Sequence, residues 1–450
     1  MRTMLVAGLL LFRAFGQSAP AGCKIANTEY SGWQAVEMSN PWVTLTIVPQ
    51  LGGRLMQVTF GGHDYLFVNQ QLKGQTHSPE ESAAQRRWFN YGGDKIWPMP
   101  EGNDDERHWP GAEGEPLDSG PFRWQVLQQD STCAVRLTGP PDAAIGQQYV
   151  RDISIGSASP VISFHAVMRN VSGYPQTWSE QSVSQYNTAD ARNPSQPNPD
   201  IWGFTPVNPR SVYLNSYHIH TGSASTPGYS VRDGLFAVHA GNAGGEVWID
   251  SPGEWLAVVD GASEYTMVER FRYDRTAEYP GQATVIFYTT GQNRRAAPPP
   301  GSDNSGRPAI HYMEAEVNSP MVKLEPGESY AMDTQWYPTR MGSEFKSATY
   351  AGVVGRALTA WKGADGIAVT GKFGVFFPGH LELRLYGAGG ARLDVRKLQE
   401  VTPLDLVDLQ QGVPAPPETV RVSLHLIDRE GVDRGPLGET LVSPSNSGGN

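Results

Sequence analysis

Trp42-Val43-Thr44-Leu45-Thr46-Ile47-Val48 is followed by Gly52-Gly53 and then by Arg54-Leu55-Met56-Gln57-Val58-Thr59-Phe60. Both runs are rich in β-branched and apolar residues and roughly alternate in polarity, the period of a half-buried strand. The two glycines between them allow the tight reversal of a hairpin. Gly61-Gly62-His63-Asp64 reads as the next turn and Tyr65-Leu66-Phe67-Val68 as a third strand. Outward from this seed the same pattern recurs. It predicts strands at 123–128, 134–138, 148–155, 161–170, 177–186, 211–213, 235–240, 246–249, 256–260, 283–289, 311–318 and 329–337. Residues 70–120 lack periodicity but hold many aromatics, and read as a long ordered loop. The stretch 293–306, rich in Pro, Gly and Ser, reads as a linker-like loop.

Beyond that, 345–361 reads as a short helix or a connector. From residue 357 short strands are expected at regular spacing, at 367–370, 374–377, 380–386, 391–397 and 420–428. The expected organisation is therefore all-β. A large unit covers 23–340, a connector 341–356, a small β-sandwich 357–442, and a Ser/Gly-rich disordered tail 443–450.

Composition agrees. Of 450 residues, 50 are Gly and 35 Pro, and only 18% are charged, which opposes long helices and favours many tight turns. The formal net charge is −11, with no basic tract, so nucleic-acid binding and a peripheral site on an anionic membrane are excluded. Arg2, the apolar run Met4–Phe12 and Ala19-Pro20-Ala21 read as a secretory signal over 1–22. The run is too short to span a membrane stably. The protein is expected to be secreted or periplasmic. Two fates are open for Cys23: a lipid anchor, or a disulfide with Cys133, the other cysteine of the chain.

Four segments carry candidate chemistry. Trp88-Phe89-Asn90-Tyr91-Gly92-Gly93-Asp94-Lys95-Ile96-Trp97-Pro98 sets Asp94 and Lys95 between aromatic residues. Trp88 and Trp97 are candidate stacking plates for a sugar ring, and the glycines would let backbone approach a ligand. The plain alternative is a rigid structural loop. Arg54 offers a planar donor fork. In Ile310–Val317, alternation places Tyr312, Glu314 and Glu316 on one face, as a candidate base and hydroxyl acceptor, or as carboxylates facing water on an edge strand. Trp178–Tyr186 is polar on both faces, as expected for the wall of a wet cleft or for an edge strand. His218 and His220 share a strand face, but no third metal ligand stands near them in sequence. No Gly-x-Ser-x-Gly or His-Glu-x-x-His motif occurs. No cofactor or metal is expected.

These segments resemble the galactose mutarotase-like superfamily, the aldose 1-epimerase supersandwich, over roughly residues 30–340. The carriers are Leu51-Gly52-Gly53-Arg54-Leu55, Arg169–Ser172 followed by Trp178–Gln185, and Tyr312–Glu316 with its following turn Leu324-Glu325-Pro326-Gly327-Glu328. Tyr91–Pro98 is most similar to a secreted bacterial branch. The resemblance implies a supersandwich and a carbohydrate ligand. It places Glu314 at the general base and Glu316 at a nearby ligand-facing position. Gln185 stands where epimerases carry the acid His, and Gln cannot transfer a proton near neutral pH. The early His-Gly-Gly motif is also not found, which leaves His108 as the nearest candidate acid.

The first reading is a secreted carbohydrate-binding protein whose ligand is surrounded by Arg54, Trp88, Asp94, Lys95, Trp97, Gln185, Glu314 and Glu316. The second is an active enzyme: an aldose 1-epimerase-like isomerase on Glu314 and His108, or a polysaccharide lyase with Lys95 and Arg54 neutralising a uronate. The third is a structural cell-surface interaction protein.

Overall fold

The computed structural model describes residues 22–102, 108–222, 228–241, 244–291, 310–363 and 365–444. Residues 1–21 of the expected signal segment, the stretch 293–306 and residues 445–450 of the expected tail lie outside them.

Strands dominate, and the only α-helices among the described residues are Pro79–Gln85 and Pro116–Ser119. They form a twelve-stranded, a ten-stranded and an eight-stranded sheet. The opening hairpin folds as its sequence dictates: Val43–Val48 pairs antiparallel with Arg54–Phe60 in the twelve-stranded sheet. The ten-stranded sheet contains Gln147–Gly156, Ile162–Asn170 and Ser329–Arg340 as neighbours. Gln147–Gly156 alternates buried and half-buried along its length, one face to a core and one outward. The two large sheets pack face to face over one apolar cluster. Leu45, Leu55, Val247 and Phe287 of the first meet Ile153, Phe164, Met267 and Trp336 of the second.

The eight-stranded sheet, from Ser347 to Ser443, encloses its own core around Val369, Leu383, Leu409 and Leu424. It is tied to the outer face of the ten-stranded sheet by Trp255, Tyr337, Met341, Phe345 and Phe376. Three expectations need correction. The segment 345–361 is neither helix nor connector throughout, because a long strand, Gly352–Gly363, begins inside it. Its β-branched and apolar alternation pairs with Gly366–Val375. Residues 211–213 form no strand, and Asp250 instead accepts hydrogen bonds from Ser211 Oγ and the Val212 N–H to shape a turn. Within 70–120, Asp94–Met99 is not loop but an interior strand of the twelve-stranded sheet. Cys23 and Cys133 are joined by a disulfide. No described helix is long and apolar enough to cross a membrane.

Candidate functional site

In the twelve-stranded sheet, Asp94–Met99, Gln176–Asn187, Tyr312–Asn318, Val285–Thr289, Gly245–Ile249 and His218–Gly222 lie side by side in that order. Residues directly opposite one another share a face, roughly 5 Å apart. The register therefore lays polar side chains in rows across the face turned away from the second sheet. One row runs Gln185, Glu314, Tyr288, Glu246. The next runs Lys95, Val183, Glu316, Ile286, Trp248, His218. Trp97 stands opposite Gln181 in a third. This face forms a cleft of about 280 Å³, with Trp97 and Trp248 among its walls and Glu101, Glu246, Glu314 and Glu316 lining it. Gln181, Tyr288 and His220 complete its polar lining.

Neither glutamate-bearing nor glutamine-bearing strand is an edge. Tyr312–Asn318 sits between two partners and is buried along its whole length. Glu314 Oε1 accepts from Gln185 Nε2 at 2.7 Å and from Lys95 Nζ at 3.4 Å. Glu316 Oε2 accepts from Gln181 Nε2 at 2.6 Å. Lys95 lies 4.2 Å over the Trp97 ring and 5.9 Å over that of Trp88. Burial lowers the Lys95 ammonium from its ordinary range, and Glu314 opposes that shift. Burial, then repulsion by Glu314 and Glu246, pushes the Glu316 carboxyl well above the carboxylate range. Burial raises Glu246 as well, against a hydrogen bond from Trp248 and the nearby His220. Glu101 is pushed up to about 7, chiefly by loss of water in the cleft and then by Glu246 and Glu314. Glu101 is exposed at the rim of the cleft.

Trp88 and Trp97 are held from beneath. Asp118 accepts from Trp97 Nε1 at 3.2 Å and from Trp88 Nε1 at 3.1 Å, and its Oδ1 lies 2.5 Å from Arg54 Nη2. Arg54 is fully buried and also donates to the Gly92 carbonyl, so it supports the site and does not reach the cleft. Asp94 does not reach it either. Strand alternation turns Asp94 to the opposite face from Lys95, between the sheets, where it pairs with Arg151 at 2.5 Å and accepts from Ser184 Oγ. Gly92 is required by the chain itself and not by a ligand. Its φ is +93°, and a Cβ there would lie 2.0 Å from the Phe67 carbonyl oxygen. His108 is not among the described residues lining the cleft. Its neighbour Trp109 is fully buried and packs on Trp97 at 5.1 Å between ring centroids.

The side chains that sequence reasoning missed come from the far strands. His220 stacks on Trp248 with centroids 4.3 Å apart and planes 10° from parallel. Trp248 Nε1 in turn donates to the Glu246 carboxylate. The register slips between Ile219 and Thr221, so His220 is the bulged residue that the slip re-aims. The usable signal was the pair His218 and His220, read only for metal. Among the described residues no three His, Cys, Asp or Glu side chains are arranged to hold a metal ion. The lyase reading loses its basis. Lys95 is engaged by Glu314 and Arg54 by Asp118, so neither cation is left to neutralise a uronate.

No family profile matches this sequence, and no curated protein matches it. Several solved structures are similar. A galactose mutarotase-like protein from Lactobacillus casei is 9% identical over 68% of this chain and 99% of its own, with a TM-score of 0.43. Another from Clostridium acetobutylicum is 11% identical over 71% of this chain and 99% of its own, also at 0.43. A TPR-domain containing protein from Parabacteroides distasonis is 15% identical over 68% of this chain at 0.44, and this chain spans only 47% of its length. Nothing about the site or its chemistry follows from likenesses this distant.

Proposed function

We propose that the cleft binds a single sugar ring and that the protein is an exported carbohydrate-binding protein. One observation carries this reading: two indoles, Trp97 and Trp248, wall a cleft lined by carboxyl, carboxamide and phenol groups. Indole faces pack on the C–H face of a pyranose, while planar acceptors and donors fix its hydroxyls. At about 280 Å³ the cleft lies at the small end of ligand sites, the scale of a monosaccharide or chain terminus. Export is supported by the apolar amino-terminal run and by the Cys23–Cys133 disulfide, which suits an oxidising compartment. The disulfide also takes up the Cys23 sulfur that a thioether-linked lipid would need.

A second reading, sugar epimerisation, gains one specific observation. Opening a hemiacetal ring takes a base at the anomeric hydroxyl and an acid at the ring oxygen. Gln185 cannot be that acid, but His220, Glu246 and Glu101 line the same cleft as Glu314. One experiment tests both readings. Tryptophan fluorescence is titrated with glucose, galactose and mannose, and polarimetry follows freshly dissolved α-glucose and α-galactose. Quenching without faster mutarotation supports a binding protein. Acceleration lost in both Glu314→Gln and His220→Gln establishes the enzyme. No quenching by any sugar refutes the cleft as a sugar site.

A further inference from the structure

A second and larger cavity lies on the ten-stranded sheet. There Gln147–Gly156, Ile162–Asn170, Ser329–Arg340 and Tyr265–Arg270 are neighbours in that order. Directly opposite positions put Ser154, Ser163, Gln335 and Arg270 in one row across them. The row lies on the face turned away from the twelve-stranded sheet, because the alternate residues Ile153, Phe164 and Trp336 face the shared core. It lines an open cavity of about 680 Å³, against about 280 Å³ for the cleft. Tyr337 and Tyr350 are among its walls, and Tyr350 is 69% exposed.

Arg270 is the group that points to a ligand. It is half-buried, and its guanidinium lies 4.5 Å over the Tyr350 ring and 5.8 Å over that of Tyr337. Nη2 donates to the Thr349 carbonyl, Nε is buried without a partner, and Nη1 carries no hydrogen bond. A guanidinium drawn this far out of water is ordinarily paired with an anion, and among the described residues this one has no ion pair. Loss of water lowers it from its ordinary value, with Tyr337, Tyr350 and Glu254 opposing. The carboxylates lining the cavity are engaged elsewhere. Asp152 accepts from Arg136 Nε and Nη2 at 2.7 Å each, Asp333 is held by His165 at 2.8 Å, and Glu254 accepts from the Tyr273 N–H at 3.3 Å. Arg272, exposed and also in the lining, adds a second positive charge.

We propose that this cavity is a second binding site, for a saccharide bearing a carboxylate (a uronate), with the carboxylate against Arg270 and the sugar hydroxyls along Ser154, Ser163 and Gln335. A carboxylate lies in the plane of a guanidinium, accepts its N–H groups and supplies the missing counter-charge. The hydroxyls and carboxamide of the row both donate and accept, as sugar hydroxyls require. The exposed Tyr350 ring gives the C–H face of a pyranose a surface to pack on. The site is separate from the cleft walled by Trp97 and Trp248, so the two readings stand or fall independently.

The test is a calorimetric titration of the full chain at neutral pH with digalacturonate, the dimethyl ester of the same disaccharide, and acetate, repeated at raised salt. A charge-assisted bond to Arg270 implies that digalacturonate binds about tenfold or more tighter than its uncharged ester, and that salt narrows the gap. Tyr350→Ala, at an exposed position, and Arg270→Lys, which keeps the charge but loses the planar fork, both weaken digalacturonate binding. The ester binding as tightly as the acid overturns the inference, and so does digalacturonate binding that both variants retain in full. Acetate binding as tightly as digalacturonate overturns the saccharide assignment. Failure of digalacturonate to bind refutes the site. The acid and its ester are compared on the unaltered protein, so the inference is decided even if Arg270→Lys fails to fold.

Discussion

Asp118 is the hinge of the site's support, and its neutralisation gives a measurable account of the layer beneath the cleft. Its carboxylate is 1% exposed and faces Arg54, whose side chain is fully buried. It also accepts from the cleft indole Trp97 and from Trp88, which does not line the cleft. Asp118→Asn keeps the shape and leaves the guanidinium buried without its counter-charge. Breaking a buried pair at one end costs about 3–5 kcal/mol, because the remaining ion stays desolvated. At roughly 2 °C per kcal/mol for a unit this large, the first unfolding transition falls by roughly 6–10 °C. Arg54→Met in the same background removes the stranded charge and recovers part of the loss, giving a coupling energy of at least about 1 kcal/mol. The assay is thermal unfolding followed by tryptophan fluorescence for wild type, both single variants and the double. Two single losses below about 1 kcal/mol, or losses that simply add, refute the view that Arg54 and Asp118 act as one buried unit.

Stability falls as pH rises from about 5 to about 8. Burial pushes Glu269, which accepts from the Tyr186 hydroxyl at 2.6 Å, up to about 8, and raises Asp94, Glu180 and Glu316 in the same sense. A raised carboxyl gives stability that is complete below the ordinary glutamate range and is lost as pH climbs through the folded value. Thermal melts across this range show a declining Tm, with a slope of about 1.4 kcal/mol per pH unit for each such group, and Glu269→Gln flattens it. A Tm that climbs over the same range would refute the assignment. The Cys23–Cys133 bridge closes 110 residues of chain, a span for which loop entropy predicts about 4–5 kcal/mol. Cys133→Ser therefore lowers the Tm of oxidised protein, and reductant does the same to wild type. Equal melting with and without reductant refutes that contribution.

The sequence by itself determined the class of fold. Alternation along 42–60 and the glycines between its two halves leave no other economical structure, and the same period-two signal marks the later strands. Alternation also placed Glu314 and Glu316 on one face, because which side a residue takes is a local property of a strand. Only the tertiary structure decided which faces meet. Asp94 and Lys95 are neighbours in sequence, yet strand geometry sends one between the sheets to Arg151 and the other to the opposite face, against Glu314. Nothing local showed that 94–99 is an interior strand, since Pro98 and the adjacent glycines argue for a loop. Arg54 reads in sequence as an exposed ligand fork, and is instead spent on Asp118, 64 residues away. His220, Trp248 and Glu246 come to the site through the order of strands in a sheet. That order is set by long-range packing over a shared core, and no window along the chain contains it.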